Sequence, residues 1–92
     1  MHLDILTPEK KLYSGEVKYV EMPGIDGYFG VLDNHAAMVS ALGAGKITVD
    51  QMSAANEGTG DIIPEAKNQR FTVDVKGGIA EIFQNKVIVL LD

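Results

Sequence analysis

The sequence predicts an all-β protein built from short strands, most simply a small β-sandwich. Apolar residues recur mostly at every second position, and β-branched and aromatic residues fall in short runs. Gly, Pro, Asn or Asp separates these runs roughly every 8 to 12 positions, and helical stretches are scarce. Short strands at this spacing favour a sandwich or barrel over an α/β fold.

The length predicts one domain that spans residues 1–92. Such a small domain has little room for an enclosed active site. The chain has no cysteine, which excludes disulfides, a thiol nucleophile and a Cys-based zinc site, and its two histidines cannot form a His-rich site. We therefore expect no structural metal.

The charge is acidic, with 8 Lys and Arg against 13 Asp and Glu, a net charge of −5. Phosphate backbones and anionic headgroups would be repelled over most of this surface, which argues against binding to nucleic acid or directly to lipid. No apolar run approaches a membrane span, and the start of the chain lacks the pattern of a signal peptide. We expect a soluble, cytoplasmic protein.

In the first half, alternation predicts a strand at residues 2–5 and another from Glu16 to Met22. The second strand is expected to place Val17 and Tyr19 on one face. Val20 breaks the alternation and predicts a bulge or a strand that is apolar on both sides.

The middle of the chain is less regular. Residues 28–32 and 46–50 alternate as strands, whereas Met38 to Leu42 fits either a strand or a helical turn. Residues 51–70 are rich in Gly, Asn, Ser and Pro and predict a long, exposed and flexible loop within the domain.

The tail predicts a meander of three strands at residues 71–75, 79–83 and 86–91. Gly77 and Gly78 lie between the first two. This pair fits either a close approach of backbones or a hairpin turn, and the hairpin is the simpler interpretation.

Motifs with chemical meaning are weak. Residues 44–48 superficially resemble a P-loop, but Ser40 and Ile47 occupy positions where that motif requires Gly and Ser or Thr. His35 could serve acid–base chemistry, although a loop histidine that contacts backbone or a partner is the simpler interpretation. Surface carboxylates could form a hydrolytic pair, yet nothing predicts a cleft around them. Tyr28 and Val39 lie in apolar pairs beside glycine-rich turns and fit either the core or a partner surface.

Residues 27–36, Gly-Tyr-Phe-Gly-Val-Leu-Asp-Asn-His-Ala, resemble the epsilon subunit of F-type ATP synthases, whose pattern there is Gly-x-Phe-Gly-hydrophobic-Leu-Pro-Asn-His-Ala. Further matches run in the same order over the whole chain except residues 51–70. They include Thr7-Pro8-Glu9, Ser14-Gly15-Glu16-Val17, Pro23-Gly24, Ala41-Leu42, Gly45, Phe71, Val73, Gly77-Gly78, Glu81, Asn85, Val87 and Val89-Leu90.

The resemblance implies a β-sandwich of about ten short strands, like the N-terminal domain of epsilon. It also implies a non-catalytic subunit in the central stalk of a rotary enzyme. In that family the sandwich links the gamma subunit to the membrane rotor ring of c subunits, so that transmembrane ion flow drives ATP synthesis. It implies no cofactor and no small-molecule substrate. The expected location is the cytoplasmic face of the bacterial inner membrane, reached indirectly through the complex.

The resemblance also implies contact residues. Those expected to approach the rotor ring are Asp26, Gly27, Tyr28 and His35, and those expected to face gamma are Thr7, Met38, Val39 and Ser40. Asp33 replaces a proline of the family pattern, which frees the backbone of that loop and adds a negative charge.

Typical family members continue into two C-terminal helices that can inhibit ATP hydrolysis, whereas this sequence ends at Asp92. We therefore expect coupling without inhibition through helices. Two other interpretations stay open: a small enzyme with a surface carboxylate pair, and a free-standing adaptor that only resembles epsilon.

Overall fold

The computed structural model describes residues 1–52, 60–61 and 69–92. These residues form eight strands and no helix, which confirms the all-β prediction, with eight strands rather than about ten. The strands are β1 (His2–Leu6), β2 (Lys11–Gly24), β3 (Gly27–Leu32), β4 (Met38–Leu42), β5 (Gly45–Gln51), β6 (Arg70–Val75), β7 (Gly78–Phe83) and β8 (Lys86–Leu91).

Strand β2 belongs to both layers of the sandwich. Its second half pairs with β3 on one side and β5 on the other, and β6 extends this first sheet in the order β3-β2-β5-β6. Its first half pairs with β1, and the second sheet runs β2-β1-β8-β7-β4. Only β1 and β8 run parallel; every other pairing among the described strands is antiparallel.

A bulge in β2 lets one strand serve both sheets. Val17 pairs with Gln51 and Tyr19 pairs with Asp50, so Lys18 is an extra residue opposite β5. The extra residue reverses the alternation, and Val17 and Val20 both point into the core although they lie three positions apart. Of the two predicted alternatives, a bulge or a strand that is apolar on both sides, the structure shows the bulge. The expectation that Val17 and Tyr19 share a face is wrong.

The core is apolar and contains one buried polar pair. The apolar residues of the core are Met1, Leu3, Ile5, Tyr13, Val17, Val20, Met22, Val31, Leu42, Ile47, Val49, Phe71, Val75, Ala80, Ile82, Val87 and Val89. The Tyr13 hydroxyl donates a hydrogen bond of 2.8 Å to Oε1 of the buried Gln51, and the Tyr13 ring lies 5.0 Å from that of Phe71. A buried polar group must be hydrogen-bonded to be tolerated, and this pair satisfies that requirement.

The predicted three-stranded meander is wrong. Strand β6 pairs with β5, whereas β7 pairs with β4 and β8, so the chain crosses from one sheet to the other at Gly77-Gly78. A Cβ on Gly78 would lie 2.3 Å from the carbonyl oxygen of Leu90. Gly78 therefore permits a close approach of two backbones. The sequence analysis considered this interpretation but favoured a hairpin turn.

The ambiguous segment Met38 to Leu42 is a strand, because pairing with β7 satisfies its backbone. Of the predicted loop at 51–70, Gln51 ends β5 and Arg70 begins β6. Gly60 and Asp61 lie along the start of β2, where the Asp61 N–H donates to the Lys11 carbonyl oxygen at 3.4 Å. Residues 53–59 and 62–68 lie outside the described residues, so the flexible loop remains a prediction.

The buried Tyr13 hydroxyl makes stability depend on alkaline pH. Burial, with a smaller contribution from the nearby Glu16 carboxylate, raises the pKa of Tyr13 to about 12. An unfolded tyrosine titrates near pH 10, so from about pH 10 to 12 the unfolded state loses a proton that the folded state keeps. Below about pH 10, Tyr13 makes its full contribution to the free energy of unfolding. We expect the free energy of unfolding to fall by about 3 kcal/mol by about pH 12, and urea unfolding measures it.

The control is Tyr13→Phe, which removes the titrating group but keeps the ring. Its unfolding free energy should be lower at neutral pH by about 1 to 3 kcal/mol, since the hydrogen bond to Gln51 is lost. The difference in unfolding free energy between the parent and Tyr13→Phe should become smaller above about pH 10. A difference that stays constant up to pH 12 would contradict the raised pKa of Tyr13.

Candidate functional site

A groove lies between the β2–β3 turn and strand β4, with a volume of about 510 Å³. It is open to solvent. Its walls are mostly apolar, and Asp26 is the one charged side chain that lines it. The lining residues are Gly24, Ile25, Asp26, Gly27, Tyr28, Phe29, Met38, Val39, Ser40 and Ala41. We call this the edge groove.

Glycines and two backbone hydrogen bonds hold the β2–β3 turn against β4. Gly27 has a φ of 131°, which side chains rarely adopt, and a Cβ on Gly24 would lie 2.7 Å from the Gly27 carbonyl oxygen. The Ile25 N–H donates to the Ala41 carbonyl oxygen at 3.2 Å, and the Gly43 N–H donates to that of Pro23 at 2.8 Å. The turn is therefore fixed to the same strand that forms the opposite wall.

Tyr28 forms a fixed wall of the edge groove. Its side chain is 56% exposed, yet its hydroxyl accepts a hydrogen bond of 3.0 Å from the Lys46 N–H at the start of β5. A Cβ on Gly45 would lie 2.4 Å from this hydroxyl and 2.8 Å from Cβ of Pro23. The ring therefore lies across a glycine that leaves room for it.

The exposed side of the second sheet is apolar beside the groove. We define the outer apolar face as Val39, Ile79, Phe83 and Leu90, which are 50 to 68% exposed. Glu81 pairs with Val39 across β4 and β7 and lies among them. A second depression of about 350 Å³ joins this face to the edge groove and shares Met38 and Val39 with it. Adjacent exposed apolar residues of this kind mark an interaction surface.

Sequence reasoning missed Ile79, Phe83 and Leu90. The signal was present, because Ile79-Ala80, Ile82-Phe83 and residues 87–91 are apolar at successive positions rather than at alternate ones. A sheet with one solvated face should alternate between apolar and polar residues. Apolar residues on both sides of β7 and β8 thus indicate a second apolar contact besides the core.

Six of the eight predicted contact residues lie together. Asp26, Gly27 and Tyr28, assigned to the rotor ring, and Met38, Val39 and Ser40, assigned to gamma, line the same edge groove. The structure does not separate these two groups into different surfaces.

His35 and Thr7 lie away from this groove. His35 follows the far end of β3, where its Nδ1–H donates to the Ala36 carbonyl oxygen at 2.7 Å. Thr7 follows β1, and β8 and β7 lie between that strand and β4. Its hydroxyl closes its own turn by accepting the N–H of Lys10 at 3.2 Å.

The loop that carries Asp33 is anchored at two points. An Asp33 carboxylate oxygen lies 2.8 Å from the amino group of Met1, and the Asn34 N–H donates to Oδ1 of Asn85 at 2.9 Å. Asn34 has a positive φ of 64°, a conformation that asparagine tolerates better than most residues. These contacts hold the loop although the proline of the family pattern is absent.

A polar cluster around His2 lies on the exposed side of β1 and β2. It was not predicted from the sequence. His2 Nδ1 lies 2.7 Å from Glu16, and Nε2 lies 3.1 Å from both Asp4 and Ser14. Burial pushes the pKa of the Asp4 carboxyl upward, but the hydrogen bond from Ser14 and the charge of His2 outweigh it and lower that pKa. The cluster lies outside both depressions described above.

The described residues contain no group of three or more His, Cys, Asp or Glu side chains that could hold a metal ion. Within the same ranges, no helix has the length and apolar character needed to cross a membrane.

Comparison with known proteins adds to this geometry. Residues 1–58 match the family described as ATP synthase, Delta/Epsilon chain, beta-sandwich domain. This match covers more than half of the 92 residues. The chain belongs to the ATP synthase delta/epsilon family. The family resemblance of residues 27–36 is thereby confirmed.

Curated members of the delta/epsilon family match along the whole chain. The ATP synthase epsilon chain of Campylobacter fetus subsp. fetus (strain 82-40) is 38% identical over 92 residues, which are all of this chain and 60% of that protein. The ATP synthase epsilon chain of Rhodopseudomonas palustris (strain BisA53) is 40% identical over 91 residues, or 99% of this chain and 56% of that protein. The chain thus spans little more than half the length of these relatives.

The delta/epsilon fold also matches a solved structure, the central stalk and c-ring of the Tetrahymena thermophila mitochondrial ATP synthase. The TM-score is 0.73 at 16% identity, and the match covers 99% of this chain and 62% of that one. The likeness supports the fold, a β-sandwich of the epsilon N-terminal type.

The wall of the edge groove in this family member can be tested with Gly45→Ala. The added Cβ would overlap the Tyr28 hydroxyl and the rigid Pro23 ring, so we expect the unfolding free energy to fall by about 1 to 3 kcal/mol. Displacement of Tyr28 should also change its ring resonances in NMR spectra. Thermal and urea unfolding measure the stability.

Gly43→Ala is the matched control, because no atom lies within 4 Å of a Cβ at that position. Its unfolding free energy should stay within about 0.5 kcal/mol of the parent. Equal losses in the two variants would show that Tyr28 is not held as described.

Proposed function

We propose that this chain is the β-sandwich of a rotor subunit in the central stalk of an F-type ATP synthase. In this role it links the gamma subunit to the rotor ring of c subunits, so that ion flow across the membrane drives ATP synthesis. Its membership of the delta/epsilon family carries the proposal. The likeness to a central stalk and c-ring structure supports it.

The role is mechanical rather than catalytic. Rotation is transmitted best by a stiff body, and close-packed interiors resist compression. Because β2 runs through both sheets, a force on either sheet passes to the other along a continuous backbone and through the shared core. The subunit is proposed to act at the cytoplasmic face of a bacterial membrane, held there only through the complex.

The outer apolar face is the proposed contact with gamma, together with Met38, Val39 and Ser40. Apolar area with a polar surround is typical of a stable subunit contact. Asp26, Gly27 and Tyr28 form the opposite wall of the edge groove. Their turn is proposed to meet polar loops of the ring on the side away from the groove, while Asp26, which lines the groove, also contacts gamma. His35 and Thr7 fit this assignment less well, because each lies away from the groove and makes hydrogen bonds within its own loop.

The contact with gamma can be tested with Phe83→Lys, which places a charge in the outer apolar face. We expect the dissociation constant for purified gamma to rise at least about tenfold, a loss of about 1.4 kcal/mol, since a buried unpaired charge is costly. Calorimetry or interferometry measures the binding.

Thr72→Lys is the control, an exposed change of the same charge on β6 in the other sheet. Its affinity for gamma should stay within about threefold of the parent. A parent chain that does not bind gamma would instead favour the free-standing adaptor.

We also propose that these 92 residues assemble and couple the stalk without inhibiting ATP hydrolysis. The resemblance assigns inhibition to C-terminal helices, whereas the described residues form strands. Addition of this chain to an assembled catalytic head with gamma should leave the hydrolysis rate within about twofold, a change below about 0.4 kcal/mol. The control is a demonstration that the chain is bound to the same preparation, and strong inhibition by bound chain would contradict the proposal.

A further inference from the structure

Strand β4 is the edge of the second sheet. It pairs with β7 at every position from Met38 to Leu42. On its other side, the only pairing within the described ranges joins Leu42 to Gly24, and the β2–β3 turn then diverges to leave the edge groove. Most of one side of β4 is therefore open.

The backbone of Val39 points into this opening. In an antiparallel strand, the N–H and C=O of successive residues point alternately to the two sides. The Ala41 carbonyl and the Gly43 N–H bond to the β2–β3 turn, so odd-numbered residues face away from β7. The N–H and C=O of Val39 therefore also face away from β7, and no described strand pairs with Val39 on that side. An open strand edge of this kind is a template for one more strand.

The surroundings of Val39 indicate the composition of such a strand. Ile25 and Val39 are 69% and 68% exposed, and they present apolar surface at the groove. The charged side chains that line the edge groove and the neighbouring depression are Asp26 and Glu81, and no Lys or Arg lines either. Apolar residues alternating with Lys or Arg complement this surface.

We propose that an extended segment of gamma, apolar with one or two basic residues, adds to the open edge of β4 as a further strand. Its backbone bonds to the N–H and C=O of Val39, and its basic side chains face Asp26 or Glu81. A helix would not satisfy these groups, since its own backbone is bonded internally. The inference rests on the proposed function and deepens it by stating how gamma is recognised.

Val39→Pro tests the backbone pairing. Proline removes the N–H that faces the groove, and an edge strand tolerates proline where that N–H is free. Val39→Thr is the matched control, because it keeps the N–H and the β-branched shape while replacing a methyl with a hydroxyl. Against gamma, the proline variant should bind at least about 30-fold more weakly and the threonine variant within about threefold.

Each result bears on one proposal. Normal binding by Val39→Pro, or equal weakening in both variants, overturns strand addition but leaves the gamma contact in place. Failure of the parent chain to bind gamma overturns the proposed function itself.

Amide exchange gives a second test, which does not depend on the folding of a variant. In the free chain the Val39 N–H should exchange rapidly, whereas the Ser40 N–H, which faces β7, should exchange slowly. On saturation with gamma, the Val39 rate should fall at least about 100-fold, as expected for an amide that gains a strand partner. Unchanged Val39 exchange in a formed complex overturns the inference.

The basic character of the segment is tested by Asp26→Asn combined with Glu81→Gln. The double variant should bind gamma at least about threefold more weakly at low salt, and the difference should shrink as salt screens the charges. Equal affinity of the two proteins at low salt overturns this part of the inference.

Discussion

The arrangement of the whole domain depends on β2 burying apolar side chains in two sheets at once. A single strand with strict alternation presents one continuous apolar face, and a change of sheet alters which side is inward. The extra residue Lys18 corrects the phase, so that Val17 and Val20 both enter the core. Nearby, the bond between Tyr13 and Gln51 joins the first half of β2 to β5, which pairs with its second half. These two features fix the relative position of the layers.

The edge groove follows from the same strand. Strand β2 ends at Gly24, which pairs with Leu42 of β4. The chain must turn there to start β3, so it cannot go on pairing with the rest of β4. The divergence leaves Val39, which pairs with Glu81 of β7, without a strand partner on its other side among the described residues. The groove is thus a consequence of how β2 ends, and Tyr28 stiffens its wall through the bond to Lys46.

Local signals in the sequence predicted much of this. Alternation and turn residues predicted the all-β fold and most strands, and the irregularity at Val20 predicted the bulge. Pairing could not be predicted in the same way, since β6 and β7 are adjacent in sequence and the choice of partner depends on distant strands. The contact residues came from resemblance, and only the structure showed that Asp26 and Val39 face one groove. The outer apolar face was missed because apolar runs in β7 and β8 fit a buried strand equally well.

A rotor subunit must resist both separation and slippage, and a single flat apolar contact resists only the first well. Apolar burial is non-directional, so two such surfaces can slide at little cost. Hydrogen bonds along a strand edge are directional, and a shift by one residue breaks them and reverses the side-chain pattern. The outer apolar face and the open edge of β4 adjoin at Val39. In the proposed role, the apolar face provides affinity and the strand edge fixes the register, which together suit transmission of torque.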